Sequence, residues 1–158
     1  MSKTPVRAKK NLGQHFLRSS DTAKNIADCL PLVCGNCLEI GPGMGILTQH
    51  LLDKPLHLKV IEIDGESIDF LLANSVIDPL QCIQGDFLKL PMTEFFGGEQ
   101  FMVMGNFPYN ISSQIMFKVI ENRELVPAVA GMFQREVARR ICSPASSKEY
   151  GILSVLIQ

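Results

Sequence analysis

Short apolar runs alternate with amphipathic segments along most of this chain, and most of the runs close on a glycine or a polar residue. Residues 37–40, 58–63, 80–83, 101–104 and 128–133 are brief and almost uniformly apolar, as strands buried on both faces are. Between them lie helical patterns. Ser19-Ser20-Asp21 offers caps for a helix that turns Ile26, Ala27 and Leu30 inward and stops at Pro31. Others run through Ile46, Leu47, His50 and Leu51, over 66–74 with Ile68, Leu71 and Leu72 inward, over 112–121 and over 135–141. Strand–helix alternation of this kind predicts an α/β fold, a mostly parallel sheet with helices on both faces. For the last run, 150–158, periodicity does not separate helix from strand.

The chain has 158 residues, 46% of them apolar and 20% charged, which suits one soluble globular domain. No apolar run approaches the ~20 residues of a membrane span. The basic N-terminus has no apolar stretch behind it, so no secretory signal is expected and the protein is expected to be cytoplasmic. Lys3, Arg7, Lys9, Lys10 and Arg18 give the first twenty residues +5 with no acid, while the overall charge is −1. This segregation marks residues 1–18 as a basic arm on an acidic body, 19–158. Of the five cysteines, Cys34 and Cys37 have a CxxC spacing, but no second ligand pair accompanies them. They read as packing and turn residues, and no metal is expected.

Open α/β sheets bind ligands beyond the carboxyl ends of their strands, and the polar signals fall there. Glu39-Ile-Gly41-Pro-Gly43-Met-Gly45 is a tight glycine turn between strand and helix. A GxGxxG dinucleotide fingerprint would need glycine at 46, where the chain has Ile46. Glu62, 21 residues after Gly41, closes the second strand, where an acid accepts from ribose hydroxyls. Asp86, after Gln84-Gly85, is placed to accept from an adenine amino group. Together these favour an adenosine-type cofactor, and the missing glycine leans toward S-adenosylmethionine over a nicotinamide dinucleotide.

Asn106-Phe107-Pro108-Tyr109 is the most specific feature. A residue before proline is pushed to extended backbone, so Phe107-Pro108 is expected to form a stiff, outward-facing turn. The Asn106 side-chain oxygen and the Pro108 carbonyl would then accept hydrogens from one exocyclic amine, with Tyr109 as a stacking platform for the base. An adenine N6 lone pair is delocalised into its ring. Two acceptors on its hydrogens localise that pair for in-line attack on a sulfonium methyl. Catalysis would rest on positioning and polar pre-organisation, with no covalent intermediate.

With these motifs in register, the chain resembles the ribosomal RNA adenine N6,N6-dimethyltransferase family. The matching stretches are Asn11-Leu-Gly-Gln-His15-Phe-Leu17, Glu39-Ile-Gly-Pro-Gly43, Val60-Ile-Glu62-Ile-Asp64, Gly85-Asp86, Asn106-Phe-Pro-Tyr109, Gln134-Arg-Glu-Val-Ala138 and Tyr150-Gly-Ile-Leu-Ser-Val155. The last two resemble the ribosome-biogenesis branch more than the macrolide-resistance branch. The resemblance implies a Rossmann-like S-adenosylmethionine-dependent methyltransferase domain. Its implied cofactor residues are His15, Leu17, Gly41, Glu62, Asp86 and Asn106, with Asn106, Pro108 and Tyr109 catalytic. The arm would become a lid, with Lys9, Lys10 and Arg18 facing RNA phosphates. The implied reaction dimethylates two adjacent adenosines near the 3′ end of small-subunit (16S) rRNA within a pre-30S particle, by a monomer.

Two departures stand out. Phe107 replaces the leucine commonest in the family, with little effect expected. The family also continues past the position of Gln158 with closing strands, a Pro-rich segment and a basic helical domain. The expectation is that these 158 residues keep the cofactor site but bind RNA poorly and are inactive alone. Rival readings are a nicotinamide-dependent oxidoreductase, which Ile46 disfavours, an rRNA-binding assembly factor with little catalysis, and an adenine methylase of large-subunit rRNA or DNA.

Overall fold

A computed structural model describes residues 6–158; Lys3, counted above in the arm, lies outside them. The elements in chain order are α1 (Ser20–Asp28), β1 (Asn36–Ile40), α2 (Ile46–Leu52), β2 (His57–Glu62), α3 (Gly65–Ala73), β3 (Cys82–Gln84), α4 (Thr93–Phe96), β4 (Met102–Asn106), α5 (Ser112–Glu121), β5 (Val129–Met132), α6 (Arg135–Cys142) and α7 (Ile152–Ile157). The strands form one parallel sheet in the order β3-β2-β1-β4-β5. The chain reverses its direction of travel across the sheet between β1 and β4, so a ligand crevice is expected above that pair.

Period-two side-chain alternation sends alternate residues to opposite faces. On one face Leu38, Ile40, Ile61 and Val103 pack with Phe87, Phe95, Phe101 and Phe107 and with Ile115 and Val119 of α5. On the other, Cys37, Val60, Met102 and Met104 pack against Ala23 and Ala27 of α1, Leu47 and Leu51 of α2 and Leu71 of α3. Cys37 is thus a core residue, and burial pushes its thiol up to about 12. The Cys34 thiol donates to the Asn36 carbonyl at 3.5 Å, and all five cysteines are unpaired with one another.

Three local features depart from the sequence reading. Residues 79–81 form a 3₁₀ turn, because the Asp78 carboxylate accepts from Leu80 N at 2.8 Å and Asp78 N donates to the Gln81 side chain at 3.0 Å. Leu80 is consequently 89% exposed, and the strand begins at Cys82. α4 lies in a stretch that carried no prediction, and it buries Phe95 and Phe96. Phe107 does not face outward: it is 1% exposed and packs on Phe133, ring centroids 4.8 Å apart. Its ring lies over Gly131, where a Cβ would sit 2.5 Å from the Phe107 ring and overlap the Gly105 carbonyl.

The ambiguous run at 150–158 is helical in α7. It is fixed to α6 by Ser154 Oγ donating to the Arg140 carbonyl and by Gln158 Nε2 donating to Ile141 O and Ser143 O, both at 2.9 Å. Among the described residues no helix is long and apolar enough to cross a membrane.

Candidate active site

The carboxyl ends of β1, β2, β3 and β4 open onto one crevice. Its first part, about 610 Å³, is lined by the β1–α2 glycine turn, Glu39, Glu62, Asn106, Pro108 and arm residues 12 and 14–17. A second part, about 660 Å³, runs on past Asp86, Phe87, Asn110 and Ile111. The two share Leu12, Gly41, Glu62, Ile63 and Pro108, so Leu12 of the arm lies where they meet.

Glu62 organises the β2 end. Its Oε2 accepts from Gly43 N at 3.3 Å, and its Oε1 accepts from Ile63 N at 2.9 Å and Asp64 N at 3.0 Å. Burial raises its pKa, and these backbone N–H groups oppose the rise. Gly43 has φ +57, and a Cβ there would stand 2.8 Å from the ring of Phe16. Glycine at 43 therefore lets the arm lie against the turn.

Glu39, singled out in the sequence only as the first residue of the glycine motif, is a functional candidate that the reading missed. It is 1% exposed, it lines the crevice, and its Oε2 has no partner among the described residues. Burial pushes its carboxyl up to about 8; the Thr48 hydroxyl opposes the shift and the charge of Glu62 adds to it. An acid inside an apolar strand was the available signal, since acids are rarely fully buried without a partner.

Asp86 is half-buried. Its Oδ1 accepts from Leu88 N at 3.0 Å, and Lys89 Nζ stands 3.7 Å from Oδ2. Lys118 of α5 donates to the carbonyls of Phe87 and Leu90 at 2.6 and 2.5 Å, which ties this loop to α5.

At the end of β4, Asn106 Nδ2 donates to the His15 carbonyl at 2.7 Å. Its Oδ1 is buried with no partner among the described residues. The Pro108 carbonyl accepts from Ile111 N at 3.2 Å, which leaves its second lone pair. The Tyr109 ring stacks on His15, centroids 4.3 Å apart at 25°.

The arm crosses the crevice as a short 3₁₀ turn, Lys10–Leu12, followed by residues without regular secondary structure. Lys9, expected to face phosphates, is committed to the body: Nζ stands 2.6 Å from Asp64 Oδ1 and 3.2 Å from Glu66 Oε1. Gln14 Nε2 donates to Asp64 Oδ2 at 3.3 Å. Hydrogen bonds from Lys9, Gln14 and Ser67 hold the Asp64 carboxyl below its usual range, although burial acts the other way. Lys10 and Arg18 are exposed, with no ion pair among the described residues.

A second basic face was not read from the sequence. Arg135, Arg139 and Arg140 are all exposed on α6, which starts two residues after Phe133. The signal was present in their i, i+4, i+5 spacing. Among the described residues no group of three or more His, Cys, Asp or Glu is arranged to hold a metal ion.

The five-stranded parallel sheet, helices on both faces and a crevice at the strand ends define a Rossmann-like α/β fold. Among solved structures the chain is similar to a dimethyladenosine transferase from Plasmodium falciparum (TM-score 0.69, 31% identity, 90% of this chain and 51% of that one). It is also similar to the 23S rRNA methyltransferase ErmE (TM-score 0.64, 29% identity, 80% and 50%). It is 54% identical over 154 residues to the ribosomal RNA small subunit methyltransferase A of Flavobacterium johnsoniae, covering 97% of this chain and 59% of that protein. Identity to the protein of that name from Porphyromonas gingivalis is 52% over 160 residues, covering 97% and 60%. A family model described as ribosomal RNA adenine dimethylase matches residues 6–158, and the chain belongs to that family. It spans about 60% of the length of the curated relatives it matches.

Proposed function

We propose that this chain carries the cofactor and catalytic site of a cytoplasmic enzyme that dimethylates N6 of two adjacent adenosines near the 3′ end of small-subunit rRNA. S-adenosylmethionine, when bound, supplies an electrophilic sulfonium methyl. The crevice suits it on chemical grounds. Two buried carboxyls, one with an unpartnered oxygen, favour a ligand with a cationic ammonium and sulfonium. Glu62 and Asp86 are the acceptors for ribose hydroxyls and an adenine amine, Gly41 lines both parts of the crevice, and His15 and Leu17 cover it.

The observation that carries this reading is the buried Asn106 Oδ1 with no partner. A buried acceptor left without a donor costs about 1–3 kcal/mol, and an incoming amine hydrogen would recover that energy only in the substrate complex. With the Pro108 carbonyl beside it in the same turn, Asn106 holds the amine hydrogens and turns the nitrogen lone pair toward the methyl. Tyr109 offers the base the face of its ring that His15 does not cover. The exposed Lys10, Arg18 and α6 arginines supply phosphate contacts, which position RNA and carry no sequence information. The relatives at 52–54% identity, both named for the small subunit, favour 16S over large-subunit rRNA.

The test has two stages. In calorimetry the chain is expected to bind S-adenosylmethionine and not NAD, with binding lost in Asp86→Ala. Joined at Gln158 to the remaining residues of the Flavobacterium johnsoniae relative, it is expected to form N6,N6-dimethyladenosine in under-methylated small subunits. Binding of NAD alone, or methylation of large-subunit rRNA by the joined protein, would overturn the proposal.

A further inference from the structure

The Asn106 carboxamide has two ends of nearly identical shape, one a donor and the other an acceptor, and only the surroundings decide which points where. Nδ2 lies 2.7 Å from the His15 carbonyl and donates to it, while Oδ1 is the buried, unpartnered atom. Turning the amide over would set Oδ1 against that carbonyl, two acceptors with no hydrogen between them. It would also aim an NH₂ group at the position where the substrate amine must approach. An amine presents hydrogens, so the flipped amide would repel what the native one receives.

We infer that His15 is a positioning residue for Asn106: its main-chain carbonyl fixes the amide with Oδ1 toward the substrate amine, and its ring, stacked on Tyr109, holds that carbonyl in place. This inference rests on the reading of Asn106 as the amine acceptor.

The stack matters because His15 belongs to the arm, which among the described residues has no strand or long helix to fix it. Its ring lies 4.3 Å from the Tyr109 ring at 25°. Tyr109 and Asn106 belong to one turn, so His15 grips that turn at two points, by ring and by carbonyl. On the other side of the crevice Lys9 and Gln14 tie the same stretch of arm to Asp64, the cap of α3. The arm thus joins the end of β2, on the cofactor side, to the end of β4, on the target side. An error of one ångström in the reacting groups can cost about 100-fold in rate, so a loosened carbonyl would register in turnover.

The direct readout is the Asn106 side-chain amide in the ¹⁵N-asparagine-labelled chain, assigned by its loss in Asn106→Ala. One of its protons should exchange with solvent about tenfold more slowly than those of the exposed Asn110. His15→Ala should abolish that protection, and His15→Phe should restore it, because the ring stack and not imidazole chemistry holds the carbonyl. His15 is exposed, so both variants are expected to fold. In the methyl-transfer assay of the joined protein, His15→Ala should lower kcat about tenfold, by more than it raises cofactor Kd, and His15→Phe should recover kcat. Three results would each overturn the inference: an unprotected Asn106 amide in the unaltered chain, full protection in His15→Ala, or a raised Kd with unchanged kcat. Full turnover in Asn106→Ala would instead remove the acceptor reading itself, whatever the amide spectrum shows.

Discussion

At the β2 side of the crevice the polar groups are satisfied from within: three backbone N–H groups of residues 43, 63 and 64 converge on the Glu62 carboxylate. At the β4 side one hydrogen bond reaches Asn106 from the arm, and its buried oxygen has no partner among the described residues. The first arrangement is preformed and made mostly of backbone. The second depends on a side chain whose orientation is set by a segment outside the sheet. A preformed site suits a ligand bound in the same state at every turnover. A site completed only by the arriving base suits discrimination of substrate, because its polar atom is satisfied only when the correct donor arrives.

The sharpest break of this contrast is Asn106→Ala. Removing one pre-organised polar contact to the reacting group commonly costs 10²–10³-fold in kcat. That loss is expected here in the joined protein, with the Kd for S-adenosylhomocysteine within about threefold by calorimetry. A comparable rise in Kd would move Asn106 to the cofactor side and erase the distinction between the two halves.

Gly131→Ala tests what holds the β4 half from beneath. Its Cβ would press into the Phe107 ring and the Gly105 carbonyl. Overpacking of this kind costs about 1–3 kcal/mol. The urea midpoint should fall accordingly, and turnover should drop further than cofactor affinity, because Phe107 adjoins Asn106 and Pro108. An unchanged midpoint would show that Phe107 can move aside freely.

On the β2 side, Glu62→Gln keeps the shape but replaces one acceptor oxygen by a donor that faces backbone N–H groups. Hydrogen bonds to a charged acceptor contribute about 1.5–3 kcal/mol. Cofactor Kd should therefore rise tenfold or more while kcat at saturation changes little. A loss confined to kcat would reverse the assignment of the two halves.

These two sides were not equally legible in the sequence. The glycine turn, Glu62 and the Asn106 turn were read at their observed positions because glycine, acid and pre-proline signals are local and strong. The five strands were legible as short apolar runs to within two residues of their observed bounds, but their order and register in the sheet were not. What escaped were effects of packing at a distance. Phe107 turned inward because Gly105 and Gly131 leave room for a ring, which no pattern around 107 discloses. Lys9 was read as an RNA contact from charge alone, but its partner Asp64 lies 55 residues away. Leu80 was drawn into a strand by its hydropathy, whereas the capping turn at Asp78 removed it. Glu39 was quoted as part of a motif, and its burial came only with the fold.

Glu39 gives the smallest effect and the finest comparison of the two buried acids. Its carboxyl is pushed to about 8 from an ordinary 4.5, so between those values the folded protein holds a proton that the unfolded chain releases. Stability from this group is fully present below about pH 4.5 and is lost as pH rises through 8, with a slope near 1.4 kcal/mol per pH unit inside the window. Asp28, lowered to about 2 by Lys24 and Lys54, acts with the opposite sign, and its window lies below pH 4. Glu62 is raised as well and adds in the same direction as Glu39. Replacing Glu39 by Gln should therefore flatten, though not abolish, the decline in melting temperature between pH 5 and 8. If the acid also faces the cationic end of the cofactor, affinity in the unaltered chain should increase over this range as Glu39 ionises, and Glu39→Gln should not show the increase. A decline in melting temperature identical in the two proteins would mean that Glu39 is ionised throughout and that the decline arises elsewhere in the protein.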